Sequence, residues 1–583
     1  MGDVSFAADG RASWRSWRVP ITGEALLCTG LAAVTASLLV WLGPRGGDLA
    51  AHEYQRRLFL LHGFTLWDNF WYAGRYAFVG YSVLYYPLAA LLGIALLSVL
   101  TVAVAAGSFA RLLEREWGDS ALWAGRSFAL VWPGVILTGE LPLMLGVALA
   151  LLCLLALQAG RRWSGAVLIL LVLAASPVAF VMLALVLVGV AVERSPALPL
   201  GAAVVPAIAV VVAAVAELVT LHLFPVGNIA FPAGEAVQAA AFCLGLLALT
   251  WRLERARGLR GVLVVYLLAV VLIYVIPTGL GHNIARVRLL ALPLALLVAA
   301  LRRWRPLPPV LAAVTLAAAW NVFPLATSWA SGVADRSANP RVWPAPVSYL
   351  RAHLRTGYRV EAVDTVDHWP ALYLARANLP LVRGWFRQDD HPVAALLYRH
   401  FTTAEYVAWL RRMGVAYVVL TNAPPDHSSK QEARLVRSGR AKLRKVFAGR
   451  GVSIYAVPQP QPIVTGPGRP AVLAFHESRL RLSVSRGGTY RVAVRWSPYW
   501  HASTGCLERA PDGLLRLQTR AAATVRIGFD VDATSLFDAF ADSTPRCRAG
   551  YPTSRTSSDS GFRLALADHS SALRLAGSRG RAG

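Results

Sequence analysis

"GGDLAAHEYQRRLFLLHGFTLWDNFWYAGRY", residues Gly46–Tyr76, follows directly on an apolar run, yet it carries acids, histidines, arginines and aromatic rings. The fold turns on whether the run before it, Ile21–Gly43, crosses a membrane and leaves this chemistry at the bilayer surface. The rest of the chain says that it does. Of 583 residues, 56% are hydrophobic and 15% charged, which is too apolar for a soluble chain of this length. The apolar excess is confined to residues 21 to about 328, where runs long enough to cross about 30 Å of hydrocarbon recur between short polar breaks.

The runs predict a polytopic α-helical membrane protein with about 11 transmembrane helices, at 21–43, 83–108, 120–138, 141–159, 164–176, 178–192, 200–222, 236–250, 262–277, 287–301 and 308–327. Ser176-Pro177 reads either as a tight turn between two spans or as a kink within one irregular helix. The formal charge of +26 alternates by side. Arg11, Arg15 and Arg18 precede the first span, and Arg111 with Arg115, Arg161 with Arg162, Arg194, Arg252–Arg260 and Arg302–Arg305 fall in every second loop. That is the positive-inside pattern, so the basicity belongs to cytoplasmic loops and not to a nucleic-acid surface. The N-terminus is expected in the cytoplasm, the first span is read as a retained helix, and an odd number of spans delivers the chain after Thr327 to the outer face of the plasma membrane.

The loop Pro44–Val79 is the first outer segment, and its length marks it as functional. Within it Ala51, Tyr54, Leu58 and Leu61 recur at helical spacing opposite Glu53, Arg56 and Arg57, predicting a helix in the membrane interface, with Trp67, Trp71, Tyr72 and Tyr76 at headgroup depth. From about Val342 the pattern changes. "VSYLRAHL", "YRVEAVDT" and "TAEYVAWLRRMGVAYVVL" read as helix, strand, then a helix stopped near Gly414 and a buried strand. After the Pro-rich hinge "VPQPQPIVTGPGRP", strict alternation in Leu480, Leu482 and Val484, then Tyr490, Val492, Val494 and Trp496 across Gly487-Gly488, and again in Val525, Ile527, Phe529 and Val531 reads as a β-sandwich. The expected regions are a transmembrane domain (1–330), an extracytoplasmic α/β subdomain (331–460), a β-sandwich-like subdomain (461–542) and a mostly flexible Ser, Arg and Gly-rich tail (543–583). Cys28, Cys153 and Cys243 lie in apolar spans, whereas Cys506 and Cys547 are the two that could pair in an exported domain.

Asp48, His52 and Glu53 stand at the outer end of the first span. A carboxylate held where headgroups meet water can take a proton from a hydroxyl acceptor, and partial burial raises its basicity; Asp48 would equally serve as the N-cap of the interfacial helix. His52, one turn on, could share a divalent cation such as Mg or Mn with Asp48, hydrogen-bond to it, or stand solvated. In "PTGLGHNIARVRLL" (Pro277–Leu290), His282, Asn283, Arg286 and Arg288 precede the tenth span, and arginines there oppose the positive-inside trend; they could grip a lipid phosphate or snorkel to bulk headgroups. Glu140, between two spans, is either a second acid of the site or a solvated turn residue. Glu217 and His222 near the end of the seventh span are functional candidates without a named partner. "HWPALYLARANLPLVRGWFRQDDHP" (His368–Pro392) and "RWSPYWHAS" (Arg495–Ser503) mix rings with polar groups as sugar-binding surfaces do, although core packing explains most such rings. No P-loop, dinucleotide glycine fingerprint, HExxH or paired CxxC is present.

With the acid after the first span, the long aromatic loop and the C-terminal domain in order, the chain resembles the GT-C superfamily of membrane glycosyltransferases. It is most similar to actinobacterial integral membrane proteins labelled pyruvoyl-tetrahydropterin-synthase-related, a label that does not imply pterin chemistry. The segments carrying the likeness are "GGDLAAHEYQ", "LWDNFWYAGRYAFVGYSVLYYPLAALLG", "GELPLMLG", "FPVGN", "HNIARVR", "RGWFRQ", "GVAYVVL" and "SPYW", spread in order over nearly the whole chain. The resemblance implies a GT-C-like fold and inverting transfer of a sugar from a polyprenyl-phosphate donor to a glycan or glycolipid acceptor, with Asp48 as general base. Arg286, Arg288 or a metal ion would stabilise the departing lipid phosphate; His282, Asn283, Trp71 and Tyr72 are further candidates for binding substrate, and membrane lipids are the surroundings. Many such transferases carry two adjacent acids in this loop, whereas Gly47 and Leu49 flank Asp48 here. The same arginines and aromatics would also suit a flippase of lipid-linked glycans, or a non-catalytic assembly factor that binds glycan.

Overall fold

The computed structural model describes residues 22–194, 200–541 and 547. Arg11, Arg15, Arg18 and, apart from Cys547, the tail expected from residue 543 lie outside the described residues. In chain order the first part runs α1 (Gly23–Leu42), α2 (Leu49–His62), the short strands β1 (Trp67–Asp68) and β2 (Arg75–Tyr76), α3 (Tyr85–Leu92), α4 (Ile94–Trp117), α5 (Leu122–Val131), α6 (Val135–Thr138), α7 (Leu141–Gln158), α8 (Arg162–Ala175), α9 (Pro177–Arg194), α10 (Leu200–Leu223), α11 (Ala233–Thr250), α12 (Arg257–Val275), α13 (Ala291–Leu301) and α14 (Leu307–Ala334). A 3-10 helix, Gly281–Leu290, leads into α13.

Among the described residues, eight stretches are long and apolar enough to cross a membrane, one of them Ile94–Thr138, and two shorter apolar helices, α8 and α9, accompany them. Within Ile94–Thr138 the chain turns at Gly118 (φ 59°) and α5 packs back on α4, so this stretch makes two passages. About eleven passages result, and the protein is a multi-pass membrane protein. Ser176 is extended (φ −164°, ψ 115°) and separates α8 from α9, which pack on each other. Of the two readings of Ser176-Pro177 it is the tight turn. The run expected at 83–108 is broken by Gly93 (φ 79°) into α3 and α4.

Small residues set the packing. Ala25, Cys28, Ala32 and Ala36 form a buried stripe on α1 that lets it run close along α4. Leu26, Leu27, Val34 and Leu38 on the other faces of α1 are exposed, as a lipid-facing surface requires. At the helix ends far from the C-terminal domain, arginines find acids or free carbonyls: Arg126 grips Glu24 at 2.8 and 2.9 Å, Arg260 donates to Thr250 O at 2.8 Å, and Arg302 to Leu249 O at 2.7 Å.

The C-terminal domain begins with α15 (Pro344–His353), β3 (Arg359–Ala362), α16 (Trp369–Arg376), α17 (Arg387–Ala394), α18 (Thr403–Arg412), β4 (Val415–Thr421), α19 (Lys430–Arg437), β5 (Arg444–Gly449) and β6 (Val452–Ala456). Its sheet has the order β3-β4-β6-β5, with β3 and β4 parallel and the other pairs antiparallel. A capping box, Thr402 with Glu405, starts α18, and Gly414 (φ 78°) turns the chain into β4, as the sequence pattern predicts. Then come β7 (Val464–Thr465), β8 (Ala471–Phe475), β9 (Arg479–Val484), β10 (Gly488–Arg495), β11 (Trp500–Ala502), β12 (Cys506–Arg509), β13 (Leu514–Thr519), β14 (Ala523–Phe529) and α20 (Ala533–Phe540). These strands form two four-stranded sheets, β12-β13-β10-β7 and β11-β14-β9-β8. Leu480, Leu482, Val484, Tyr490, Val492, Val525 and Ile527 point inward, as alternation predicts. Two details differ from the sequence reading. Gly487-Gly488 does not close a hairpin; it passes the chain from one sheet to the other. The Pro-rich segment contributes β7, which pairs with β10.

Residues 66–76 join the two halves. Trp67, Trp71, Tyr72 and Tyr76 are buried within the protein, which corrects their expected place at headgroup depth. Trp71 Nε1 donates to Ala371 O (3.1 Å), Leu381 N to Phe70 O (2.8 Å), Asn69 N to Glu477 O (2.8 Å) and Arg495 N to Ala73 O (2.8 Å). The polar backbone of a loop must find partners, and here both subdomains supply them. A buried ion triad locks the joint: Asp389 on α17 accepts from Arg75 Nε and Arg495 Nη1, each at 2.9 Å, and Arg75 lies over the Phe386 ring at 4.0 Å. Of the expected amphipathic face of α2, Ala51, Tyr54 and Leu58 are buried and Leu61 is exposed.

Two outcomes follow. Asp389→Asn leaves two guanidiniums without their counter-charge and should cost about 3–5 kcal/mol, read as a lower unfolding temperature and faster proteolysis at the joint. Cys506 is disulfide-bonded to Cys547, with Cα atoms 5.8 Å apart, whereas Cys28, Cys153 and Cys243 are free and buried. Alkylation of the denatured, unreduced protein should therefore label those three and leave the pair unlabelled until reduction, as mass spectrometry would register.

Candidate active site

The start of α2 is fixed by the turn between α6 and α7. Gly47 N donates to Leu137 O and Asp48 N to Thr138 O, both at 3.2 Å, and His52 Nε2 lies 2.8 Å from Gly139 O. Gly139 holds a left-handed conformation (φ 76°), and a Cβ there would stand 2.7 Å from Asp48 N and 2.9 Å from Asp48 Cβ. Only glycine permits the approach. The turn that receives Asp48 continues directly into Glu140, so the two acids share one locality.

Asp48 occupies the N-cap position of α2, yet its side chain makes no capping bond. Its Oδ1 accepts from Trp385 Nε1 at 2.9 Å instead, so of the two sequence readings the cap is not the one realised. Burial pushes its pKa up to about 6; the positive charges of His368 and Arg286 and the Trp385 bond oppose that rise, and the negative charge of Glu140 adds to it. At neutral pH the group is mostly ionised and still basic enough to accept a proton.

Glu140 is only 6% exposed. Its Oε1 lies 3.6 Å from Arg286 Nε and 3.9 Å from Arg288 Nη2, and its Oε2 has no hydrogen-bond partner among the described residues. Both arginines come from the 3-10 helix Gly281–Leu290. They are thus paired with a buried acid rather than left to snorkel. His282 Nδ1 stands 3.9 Å from Glu235, and Asn283 is buried.

His52 is fully buried among Tyr81, Tyr85, Tyr86 and Trp385. With Nε2 directed at Gly139 O, Nδ1 is left to accept from the Tyr86 hydroxyl at 3.2 Å. Burial pushes its pKa down to about 3, so the ring is neutral. Both nitrogens being taken, Asp48 and His52 do not fit a shared divalent cation, and among the described residues no group of three or more His, Cys, Asp or Glu is arranged to hold one. Trp71 and Tyr72 lie in the joint, with Gly384 packed against both rings. His222 accompanies α20, its Nε2 lying 3.1 Å from Phe540 O, while Glu217 is half-buried on α10.

The C-terminal domain contributes residues that sequence reasoning left among core rings. Trp385 is half-buried and meets Asp48; Tyr81 and Phe386 pack edge-on at 4.7 Å beside it. His368 Nδ1 lies 2.7 Å from Asp364 Oδ2, and the His368 ring stands edge-on to Trp385 at 6.2 Å. Asp367 Oδ1 lies 3.4 Å from where a Cβ on Gly47 would be. The signal was the polar residues within His368–Pro392; Trp369, Ala371 and Leu372 of the same stretch are indeed core.

The neutral state of His52 has a consequence for stability. Its folded pKa is depressed below 6.5, so its contribution is complete above that value and is lost as pH falls toward the folded value. His52→Gln, which does not titrate, should unfold more readily than the wild type at pH 7 by about 1–3 kcal/mol, and the gap should narrow at pH 5 in parallel thermal melts.

A scan of protein-family models matches none to this chain, and a search of curated proteins matches none. Among solved structures, the chain is similar to the arabinofuranosyltransferase AftD from mycobacteria, with 21% identity and a TM-score of 0.43, covering 74% of this chain and 40% of that one. Two classes of a point mutant of that enzyme are similar at 18% and 16% identity, with TM-scores of 0.43 and 0.44, covering 81% and 87% of this chain. The chain spans 40%, 43% and 60% of the length of those three chains.

Proposed function

We propose that this protein is a GT-C-like glycosyltransferase, which moves a sugar from a polyprenyl-phosphate donor to a cell-envelope glycan or glycolipid at the outer face of the plasma membrane. The observation that carries the reading is Asp48: a half-buried carboxylate, released from capping, whose backbone N–H is bonded to the turn that leads into a buried acid gathering two arginines. The positive-inside distribution of arginine supports a cytoplasmic N-terminus and an outer position for this cluster.

In the proposed reaction the acceptor hydroxyl gives its proton to Asp48 as its oxygen attacks the anomeric carbon. The bond from that carbon to the phosphate oxygen breaks, and the electron pair leaves with the polyprenyl phosphate. Attack opposite the departing group inverts the anomeric centre. Arg286 and Arg288 stabilise the leaving phosphate, for which the guanidinium fork is suited, and Glu140 holds both arginines ready. No nucleotide is consumed, because the donor ester stores the energy. The half-buried Trp385, with Tyr81 near it, offers aromatic faces beside the base on which a sugar ring can stack.

Asp48→Asn should lower transfer from a labelled polyprenyl-phosphate sugar by about 10²- to 10⁴-fold in reconstituted membranes, with expression unchanged. Arg286→Ala should raise the KM for the donor. A flippase or a glycan-binding scaffold would keep its activity in Asp48→Asn, and full retention of transfer would refute the base.

A further inference from the structure

The segment after β3 brings a second charged pair to the base. His368 precedes α16 in the left-handed region (φ 59°, ψ 19°), a conformation that a side-chain-bearing residue keeps only where its surroundings fix it. Both His368 and Asp364 are 6% exposed, and their side chains meet at 2.7 Å. Asp364 is itself anchored, its main-chain carbonyl accepting from Asp426 N at 3.0 Å. The His368 ring abuts the indole whose N–H is bonded to Asp48. So an imidazole held by a buried carboxylate sits one aromatic ring away from the proposed base.

We propose that Asp364 holds His368 as an imidazolium beside Trp385, and that this imidazolium keeps Asp48 ionised, making His368 a positioning residue for the base. The proposal rests on the reading of Asp48 as general base. The charges around Asp48 give the reason. Glu140 faces it from the start of α7 and opposes ionisation, whereas Asp367, from the segment after β3, is itself pushed up to about 7 by burial and by the charges of Asp335 and Asp48. Arg286 faces Asp48 from the 3-10 helix and His368 from the C-terminal domain, and both favour its ionisation. His52 on α2 is neutral, and Trp385 offers only its N–H. Without His368, burial and Glu140 stand against Arg286 and the Trp385 N–H alone. His368 in turn is approached by Asp364 and Asp426, which favour its charged form, and by Arg387, which opposes it; burial also opposes it, yet its pKa is raised to about 8. Asp48 thus depends on a charge that the membrane helices do not carry.

The test uses the full chain in lipid nanodiscs with 5-fluorotryptophan, the Trp385 resonance being assigned by its loss in Trp385→Phe. In the wild type that resonance should titrate near pH 6 and should cease to do so in Asp48→Asn. His368→Gln should move the midpoint upward by about one pH unit, a roughly tenfold smaller ionised fraction on the acid side. Asp364→Asn, isosteric and the fallback if His368→Gln does not fold, should move it the same way. A wild-type resonance that does not titrate, or a midpoint unmoved in a folded variant of either residue, overturns the proposal. The readout needs no turnover: an upward midpoint in a chain that transfers no sugar upholds the charge pair and removes the transferase reading.

Discussion

The bonds between the start of α2 and the carbonyls of Leu137, Thr138 and Gly139 are the constraint from which the rest follows. They join two connections that are far apart in sequence and, in doing so, set Asp48 against Glu140. Because the backbone supplies most of the partners, side-chain identity matters little along this seam, except at Gly139, where a Cβ would collide with Asp48. His52 fills the third position by bonding a carbonyl in its neutral form, and the tyrosines around it leave no route for water to replace that bond. A charged or mobile group there would loosen the carboxylate it supports.

A second consequence is that the site is composite. Residues 66–76, rich in rings, are the seat on which the α/β subdomain and the sandwich rest, held by Asp389 between Arg75 and Arg495. The same docking carries Trp385 onto Asp48 and His368 onto Trp385. A membrane half alone would hold a carboxylate and two arginines, but neither the indole that orients that carboxylate nor the imidazole beside it.

Much of this was legible from residues because it obeys local rules. Small residues at helical spacing on α1, Gly414 after α18 and the inward alternation of Leu480, Leu482 and Val484 each have a single local meaning. The joint was not legible, since Trp71 and Tyr76 look alike in sequence whether they face headgroups or another domain. Nor did periodicity disclose that Gly487-Gly488 crosses between sheets, because a turn and a crossover use the same glycines. Asp48, Glu140 and Arg286 stood out because charge is costly beside apolar spans. His368 and Trp385 did not, because in a soluble domain such residues are ordinary, and only the tertiary fold brings them to Asp48.

The central claim is spatial: a phosphate bound by Arg286 and Arg288 and a hydroxyl approaching Asp48 belong to one reaction. The most direct measurement is a structure of the full chain with a non-transferable polyprenyl-phosphate sugar analogue. The account predicts the phosphate against both guanidiniums and the anomeric carbon turned toward Asp48, with Trp385 beside the sugar. A phosphate seated elsewhere, or a sugar separated from Asp48 by protein, would contradict it.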